Sequence, residues 1–199
     1  MKIHDVEQGT DAWFKARMGI PTASEFSTVL AKGEGKTRRT YMHKLAGERI
    51  TGELMDSYTN ADMERGKAME DEARNFYGLM TGAEPVRVGF VTRDAGDAGC
   101  SPDSSIGKKG LLEIKTAKPH ILINYLLKGD FPPEHVAQCQ GALWVCEREW
   151  IDIAIYWPKM PLFRLRATRN EAYIAELARE VARFNDELND VVHQIKKRM

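Results

Sequence analysis

Between Cys100 and Lys115 the chain carries a pattern that leaves few conformations open. It reads Cys100-Ser101-Pro102-Asp103, then a polar turn through Ser104, Gly107 and Gly110, then Leu111-Leu112-Glu113-Ile114-Lys115. Two runs able to form strands, joined by a Gly- and Lys-rich reversal, predict a hairpin in which Asp103 and Glu113 are neighbours. Side chains alternate across a strand, so Glu113 and Lys115 share one face and Leu112 and Ile114 the other. The apolar pair is expected to look inward and the charged pair to line a cleft. Adjacent carboxylates repel unless a cation sits between them, and hard oxygen ligands suit Mg²⁺ or Mn²⁺ better than zinc.

Composition limits what such a cleft can belong to. With 199 residues, 43% of them apolar, a single domain over residues 1–199 can bury a proper core. Lys+Arg and Asp+Glu both number 29, so the net charge is zero and any nucleic-acid surface must be a local patch. Three cysteines, Cys100, Cys139 and Cys146, include no C-x-x-C pair, which points to reduced thiols rather than a disulfide framework or a zinc site. The start Met1-Lys2-Ile3-His4-Asp5 lacks an apolar signal core, and no run approaches about 18 apolar residues, so neither secretion nor membrane spanning is expected.

Helix signals dominate the N-terminal half. Thr10 can cap a helix carrying Trp13, Phe14 and Arg17 that ends at Gly19, and Pro21-Thr22 introduces a second with Phe26, Val29 and Leu30 on one side. Trp13 reads as a core residue. Arg17 and Ser24 fall near helix ends, where side chains and backbone N–H groups can converge on an anion. Lys32 to Arg39 reads as a mobile basic loop. Its Gly35-Lys36-Thr37 is not a phosphate loop, because Leu30 stands where the first glycine is required.

Tyr41 to Ile50 predicts a short helix stopped by Gly52. Asn60 opens a longer one with Met63, Met69, Ala73, Phe76 and Tyr77 on one stripe, while Glu64, Arg65, Lys67, Glu70, Asp71 and Glu72 form a solvated face. Val86 to Thr92 alternates as one strand. Pro119 to Leu127 is helical, a further helix starts at Pro132-Pro133-Glu134, and Trp150–Trp157 with Leu162–Ala167 forms a strand pair. Apolar residues at helical spacing from Tyr173 to Val191 predict a C-terminal helix over about 170–197 that packs on the domain or on another subunit.

The Pro-Asp, nine-residue gap and Glu-x-Lys arrangement resembles the PD-(D/E)xK nuclease superfamily. Four stretches in the same order resemble, within it, the phage lambda exonuclease family of YqaJ-like viral recombination nucleases. They are Gln8-Gly9-Thr10-Asp11-Ala12-Trp13 through Arg17 to Thr22-Ala23-Ser24; Arg65-Gly66-Lys67 through Glu70; Cys100 to Asp103 with Glu113-Ile114-Lys115; and Ala137-Gln138-Cys139-Gln140 through Trp144-Val145. The resemblance spans roughly residues 8–157.

That resemblance implies an α/β restriction-endonuclease-like core, a central mixed β-sheet flanked by helices. It implies that Asp103, Glu113 and the main-chain carbonyl of Ile114 hold Mg²⁺, for which Mn²⁺ can substitute, with Glu70 contributing from its helix. Lys115 would position or activate the attacking water, and Gln138 would orient this lysine or the water. Arg17, Ser24 and Ser101 would hold a terminal 5′-phosphate. The implied activity is Mg²⁺-dependent 5′→3′ digestion of double-stranded DNA ends to 5′-mononucleotides, leaving a 3′ single strand for recombination by annealing. The implied setting is a homotrimeric ring working with a single-strand annealing protein in a bacterial cytoplasm, of phage or prophage origin. A family carboxylate upstream of the Pro-Asp is not cleanly matched; Asp94 and Asp97 are the nearest. The same residues would also suit an endonuclease of the superfamily, and losing the chemistry would leave a DNA-end-binding or interaction module.

Overall fold

The computed structural model describes residues 1–31, 35–55 and 61–199. Its strands are β1 (Lys2–His4), β2 (Pro85–Val86), β3 (Phe90–Thr92), β4 (Gly99–Cys100), β5 (Ser104–Ile106), β6 (Gly110–Thr116), β7 (Trp150–Tyr156) and β8 (Phe163–Thr168). Its α-helices are α1 (Asp11–Arg17), α2 (Phe26–Leu30), α3 (Lys36–Thr51), α4 (Ala61–Thr81), α5 (Pro119–Lys128), α6 (Val136–Val145) and α7 (Glu171–Lys196).

A five-stranded sheet of order β2-β5-β6-β7-β8 carries the molecule, with a smaller sheet β1-β3-β4 beside it. The hairpin forms, but from β5 and β6: Ser104 faces Leu112, Ile106 faces Gly110, and Gly107 takes φ +56° in the reversal. Cys100, expected in the same strand pair, instead pairs with Val91 in the small sheet. Pro102 lies between the two sheets and leaves Asp103 at the entrance to the hairpin.

Alternation along β6 holds as expected. Leu112 and Ile114 pack with Ala154 and Tyr156 against Ala73 and Tyr77 of α4. Leu111 and Ile151 face the other way, onto Cys139 and Leu143 of α6. β6 and β7 run parallel, which requires a long crossover, and α5 and α6 supply it. The sheet is therefore mixed and helix-covered on both faces.

One strand expected over Val86–Thr92 is two, β2 in the large sheet and β3 in the small one. Period-two alternation cannot report a change of sheet. The switch depends on Gly89, where a Cβ would lie 2.4 Å from the His4 carbonyl oxygen and 2.6 Å from that of Val6. Both obstacles are backbone, so Gly89→Ala is expected to cost about 2–3 kcal/mol, read as a lower denaturant midpoint with an unchanged slope.

The segment after Pro21 is a 3₁₀ turn over Ala23–Glu25 followed by the five-residue α2 rather than one helix. The expected basic loop is also revised. Residues from Lys36 onward already belong to α3, and Arg38, only 8% exposed, is pinned by two hydrogen bonds to Glu187 of α7 at 2.6 and 3.1 Å. Lys32 to Glu34 lie outside the described residues, as do Asn60 and the side chains of Met63 and Lys67. Asn170 caps α7 by accepting from the Tyr173 amide. The apolar stripe Ile174, Leu177, Val181, Phe184 and Leu188 is buried within this chain, its last four members in the cluster that holds Phe26, Leu45 and Leu143. No described helix is long and apolar enough to cross a membrane.

Candidate active site

The charged face of β6 is where buried chemistry collects. Lys115 Nζ lies 2.8 Å from Glu113 Oε1, and the same oxygen accepts a hydrogen bond from Gln138 Nε2 of α6. Glu113 is 3% exposed, and its second oxygen, Oε2, is buried without a partner. Asp103 is strapped beside it: its Oδ2 accepts from the Ile114 amide at 2.5 Å. The Ile114 side chain is committed to the α4 side of the sheet, so only its main chain is available to this site.

These contacts leave excess negative charge. Burial, and after it the facing carboxylates of Glu113 and Glu70, hold Asp103 well above the ordinary carboxylate range. Burial works to lower Lys115, but Glu113 and Asp103 outweigh it and keep the ammonium above its usual value. Cys139 also lies close, but burial and Glu113 push its thiol up, away from the thiolate a nucleophile needs.

Glu70 approaches Asp103 from α4, but Arg74 engages it. Arg74, 6% exposed, pairs with Glu70 and Asp71, donates from Nε to Ser104 Oγ at 2.9 Å and reaches the Asp103 carbonyl oxygen at 3.3 Å. The face expected to be solvated charges is thus partly a buried ion-pair network, with Tyr156 also donating to Glu72. Among the described residues no group of three or more His, Cys, Asp and Glu side chains is spaced to hold a metal ion. Asp103 and Glu113 are the residues that could hold one divalent cation. An unpartnered buried oxygen beside a desolvated carboxylate fits such an ion, because hard oxygen donors and a missing positive charge are what it requires.

A second polar group forms where α1 meets the 3₁₀ turn. Arg17 Nη2 lies 3.5 Å from Thr22 Oγ1, which lies 3.2 Å from Ser24 Oγ. The Arg17 guanidinium stacks 4.0 Å from the Trp13 ring, whose Nε1 donates to Ser101 Oγ at 2.8 Å. Arg17, Ser24 and Ser101 are therefore linked through Thr22 and Trp13. Trp13 is half-buried in this group rather than in the core. Gln8 fixes the approach by donating to the Val88 and Pro102 carbonyl oxygens, and Pro102 precedes Asp103, so the two groups share one backbone segment.

Asp94 and Asp97 sit elsewhere, on the β3–β4 turn. Asp94 pairs with the Met1 ammonium and Asp97 with Arg93. A cavity of about 580 Å³ opens between α6 and the start of α7, but Phe131, Gln140 and Arg169 line it rather than the acidic centre.

Sequence reasoning passed over Arg74, although its spacing from Glu70 and Asp71 is that of helical ion pairs. It also passed over His135, which had no local signal. Burial, and then Lys115, lower His135 from 6.5 to about 4. The imidazole is neutral in the folded state where the unfolded chain binds a proton, so its contribution to stability is complete above pH 6.5 and is lost as pH falls towards 4. His135→Gln is expected to flatten the fall in melting temperature over that window.

Residues 12–149 match the family described as YqaJ-like viral recombinase domain. An alkaline exonuclease, LHK-Exo, from Laribacter hongkongensis superposes with a TM-score of 0.87 at 34% identity, covering 95% of this chain and 97% of that one. The same protein in complex with dAMP gives a TM-score of 0.88 at the same identity and coverage. A phage-related exonuclease from Haemophilus somnus, at 11% identity and a TM-score of 0.67 over 88% of this chain and 96% of that one, shares the fold. No curated protein matches the sequence. With the family matched over most of its length and a relative one-third identical from end to end, the chain belongs to the YqaJ-like viral recombinase family.

Proposed function

We infer that this protein is a Mg²⁺-dependent nuclease that digests double-stranded DNA from 5′ ends, releasing 5′-mononucleotides and leaving a 3′ single strand for annealing. The observation that carries the reading is the buried, unpartnered Glu113 Oε2 beside Asp103 and the Lys115 ammonium. Family membership and the likeness to an alkaline exonuclease support it.

Asp103 and Glu113 would hold the ion, for which Mn²⁺ can substitute, and the Ile114 carbonyl is the main-chain donor adjoining them. When bound, Mg²⁺ supplies a water of lowered pKa and stabilises charge on the phosphoryl oxygens. Lys115, whose Nζ lies 2.8 Å from Glu113 Oε1, would position the attacking water or help activate it. Gln138 keeps Glu113 in place through Oε1 and leaves Oε2 uncommitted. Glu70 serves the site only to the extent that Arg74 releases it. Arg17, Ser24 and Ser101 would bind the terminal phosphate, a guanidinium and two hydroxyls being suited to an anion without reading bases. With the end fixed there and the acidic centre on the same backbone segment, cuts fall at a constant distance from the terminus. A homotrimeric ring and a single-strand annealing partner belong to the same proposal and rest on family membership.

The test is digestion of a linear 5′-phosphorylated duplex with Mg²⁺ and with EDTA. Mononucleotides in the first and none in the second are expected; cutting of covalently closed circles would favour an endonuclease. Arg17→Ala is expected to lower kcat/KM on 5′-phosphorylated ends by about tenfold, with a much smaller effect on 5′-hydroxyl ends.

A further inference from the structure

The segment joining Arg17 to Ser24 has little structure of its own. Arg17 ends α1, Gly19 follows at φ +68°, and residues 20–22 form neither helix nor named strand. Yet the spacing of Arg17, Thr22 and Ser24 decides whether their polar atoms can meet around one anion. Something outside the segment must set it.

α3 supplies three hydrogen bonds to the backbone of this segment. Glu48 Oε2 accepts from the Gly19 amide at 2.8 Å, Arg49 Nε donates to the Gly19 carbonyl oxygen at 2.7 Å, and the Tyr41 hydroxyl oxygen accepts from the Thr22 amide at 3.2 Å. Tyr41 and Glu48 stand seven residues apart, two turns along one helix face. Their partners, Gly19 and Thr22, are the two ends of the short connection. Opposite α3, the Gly99 amide donates to the Pro21 carbonyl oxygen, and Thr22 makes an isolated parallel bridge to Gly99.

The helix is itself anchored. Arg49 donates to Asn189 and Asn185 of α7, Arg38 pairs with Glu187, and the Tyr41 ring stacks on Phe184. Glu48 is 5% exposed, a buried carboxylate directed at a main-chain amide. Gly19 is required here twice over: its φ is positive, and a Cβ would meet Arg49 Cγ at 2.5 Å.

We propose that Tyr41 and Glu48 of α3 are positioning residues for end selection: by clamping the Gly19 and Thr22 amides they set Arg17, Thr22 and Ser24 at the separation that favours a terminal phosphate over a hydroxyl. The inference rests on the 5′-phosphate reading above and adds two residues that do not touch the phosphate. Their removal changes which ends are used rather than the hydrolytic centre on β6.

The experiment measures kcat/KM for the same duplex with 5′-phosphate and with 5′-hydroxyl ends, alongside melting temperature, for the full chain. Tyr41→Phe deletes one oxygen and leaves the ring on Phe184; the ratio of the two values is expected to fall roughly fivefold, the effect of one lost hydrogen bond to a buried amide. Glu48→Ala is expected to lower the ratio at least as far, and Glu48→Gln, which keeps a carbonyl acceptor, to restore most of it. If Glu48→Ala does not fold, Tyr41→Phe decides the matter. A merely structural role would lower the melting temperature and both rates together with the ratio unchanged, and that result overturns the inference. A parent enzyme with no preference between the two ends removes the 5′-phosphate reading and this inference with it. A parental preference that survives both Tyr41→Phe and Glu48→Ala overturns this inference alone.

Discussion

Asp103→Asn is expected to abolish Mg²⁺-dependent hydrolysis while making the metal-free protein harder to unfold. Asn keeps an oxygen that can accept the Ile114 amide, so the hairpin entrance need not move. What it removes is a charge that the fold disfavours, because burial and the Glu113 and Glu70 carboxylates raise Asp103 above its ordinary value. A raised carboxyl group gives stability that is complete below the unfolded value near 4 and is lost as pH rises through the folded value. At neutral pH Asp103 therefore opposes folding, whether it keeps its charge or must take up a proton, and a neutral Asn does not. In the proposed function the same charge would be half of the donor set for the cation, and losing several kcal/mol of transition-state stabilisation corresponds to a rate loss of about 10³-fold or more. Melting in EDTA and a single-turnover digestion check both halves. Retained activity, or a variant less stable than the parent in EDTA, would refute the assignment of Asp103.

Arg74→Met produces the opposite pairing of effects. The Arg74 side chain is 7% exposed and serves Glu70, Asp71, Ser104 and the Asp103 carbonyl oxygen together. Met fills much of the volume without the charge, leaving Glu70 and Asp103 to face each other without it. Breaking a buried ion-pair network from the cationic side costs about 3–5 kcal/mol. The lower end is expected here, since Glu70 is 31% exposed and can recover some hydration. Mg²⁺ should then raise the melting temperature of the variant more than that of the parent, because an ion that binds only the folded state stabilises it by mass action and the released Glu70 adds a donor. Arg74→Lys keeps the charge but not the two-pronged guanidinium, and should fall between the two. A loss below about 1 kcal/mol in EDTA would show that the network is not what holds α4 to the hairpin.

The acidic centre was legible because its residues lie close in sequence. A reversal between Asp103 and Glu113 brings them together whatever the rest of the chain does, and alternation along β6 places Glu113 with Lys115 by local geometry alone. Gln138, Glu70 and Ser101 were singled out only through resemblance, and Arg17 and Ser24 locally by no more than their place near helix ends; the contacts each of them makes come from long-range packing that no local pattern contains. Trp13 shows the limit from the other side. A large aromatic residue on a helix is core by habit, but here the indole bridges Arg17 and Ser101 because α1 has no buried residue of its own.

By itself, the sequence determined what local stereochemistry can determine: the reversal at Gly107, the two faces of β6, and the long C-terminal helix whose apolar stripe becomes buried. Only the tertiary structure decided that the chain changes sheets at Gly89, that Arg74 claims Glu70, that His135 stays neutral beside Lys115, and that α3 grips the Gly19 to Thr22 connection. The division has one physical cause. Backbone periodicity acts between residues a few positions apart, whereas desolvation and charge pairing depend on which distant segments come to share a dry volume.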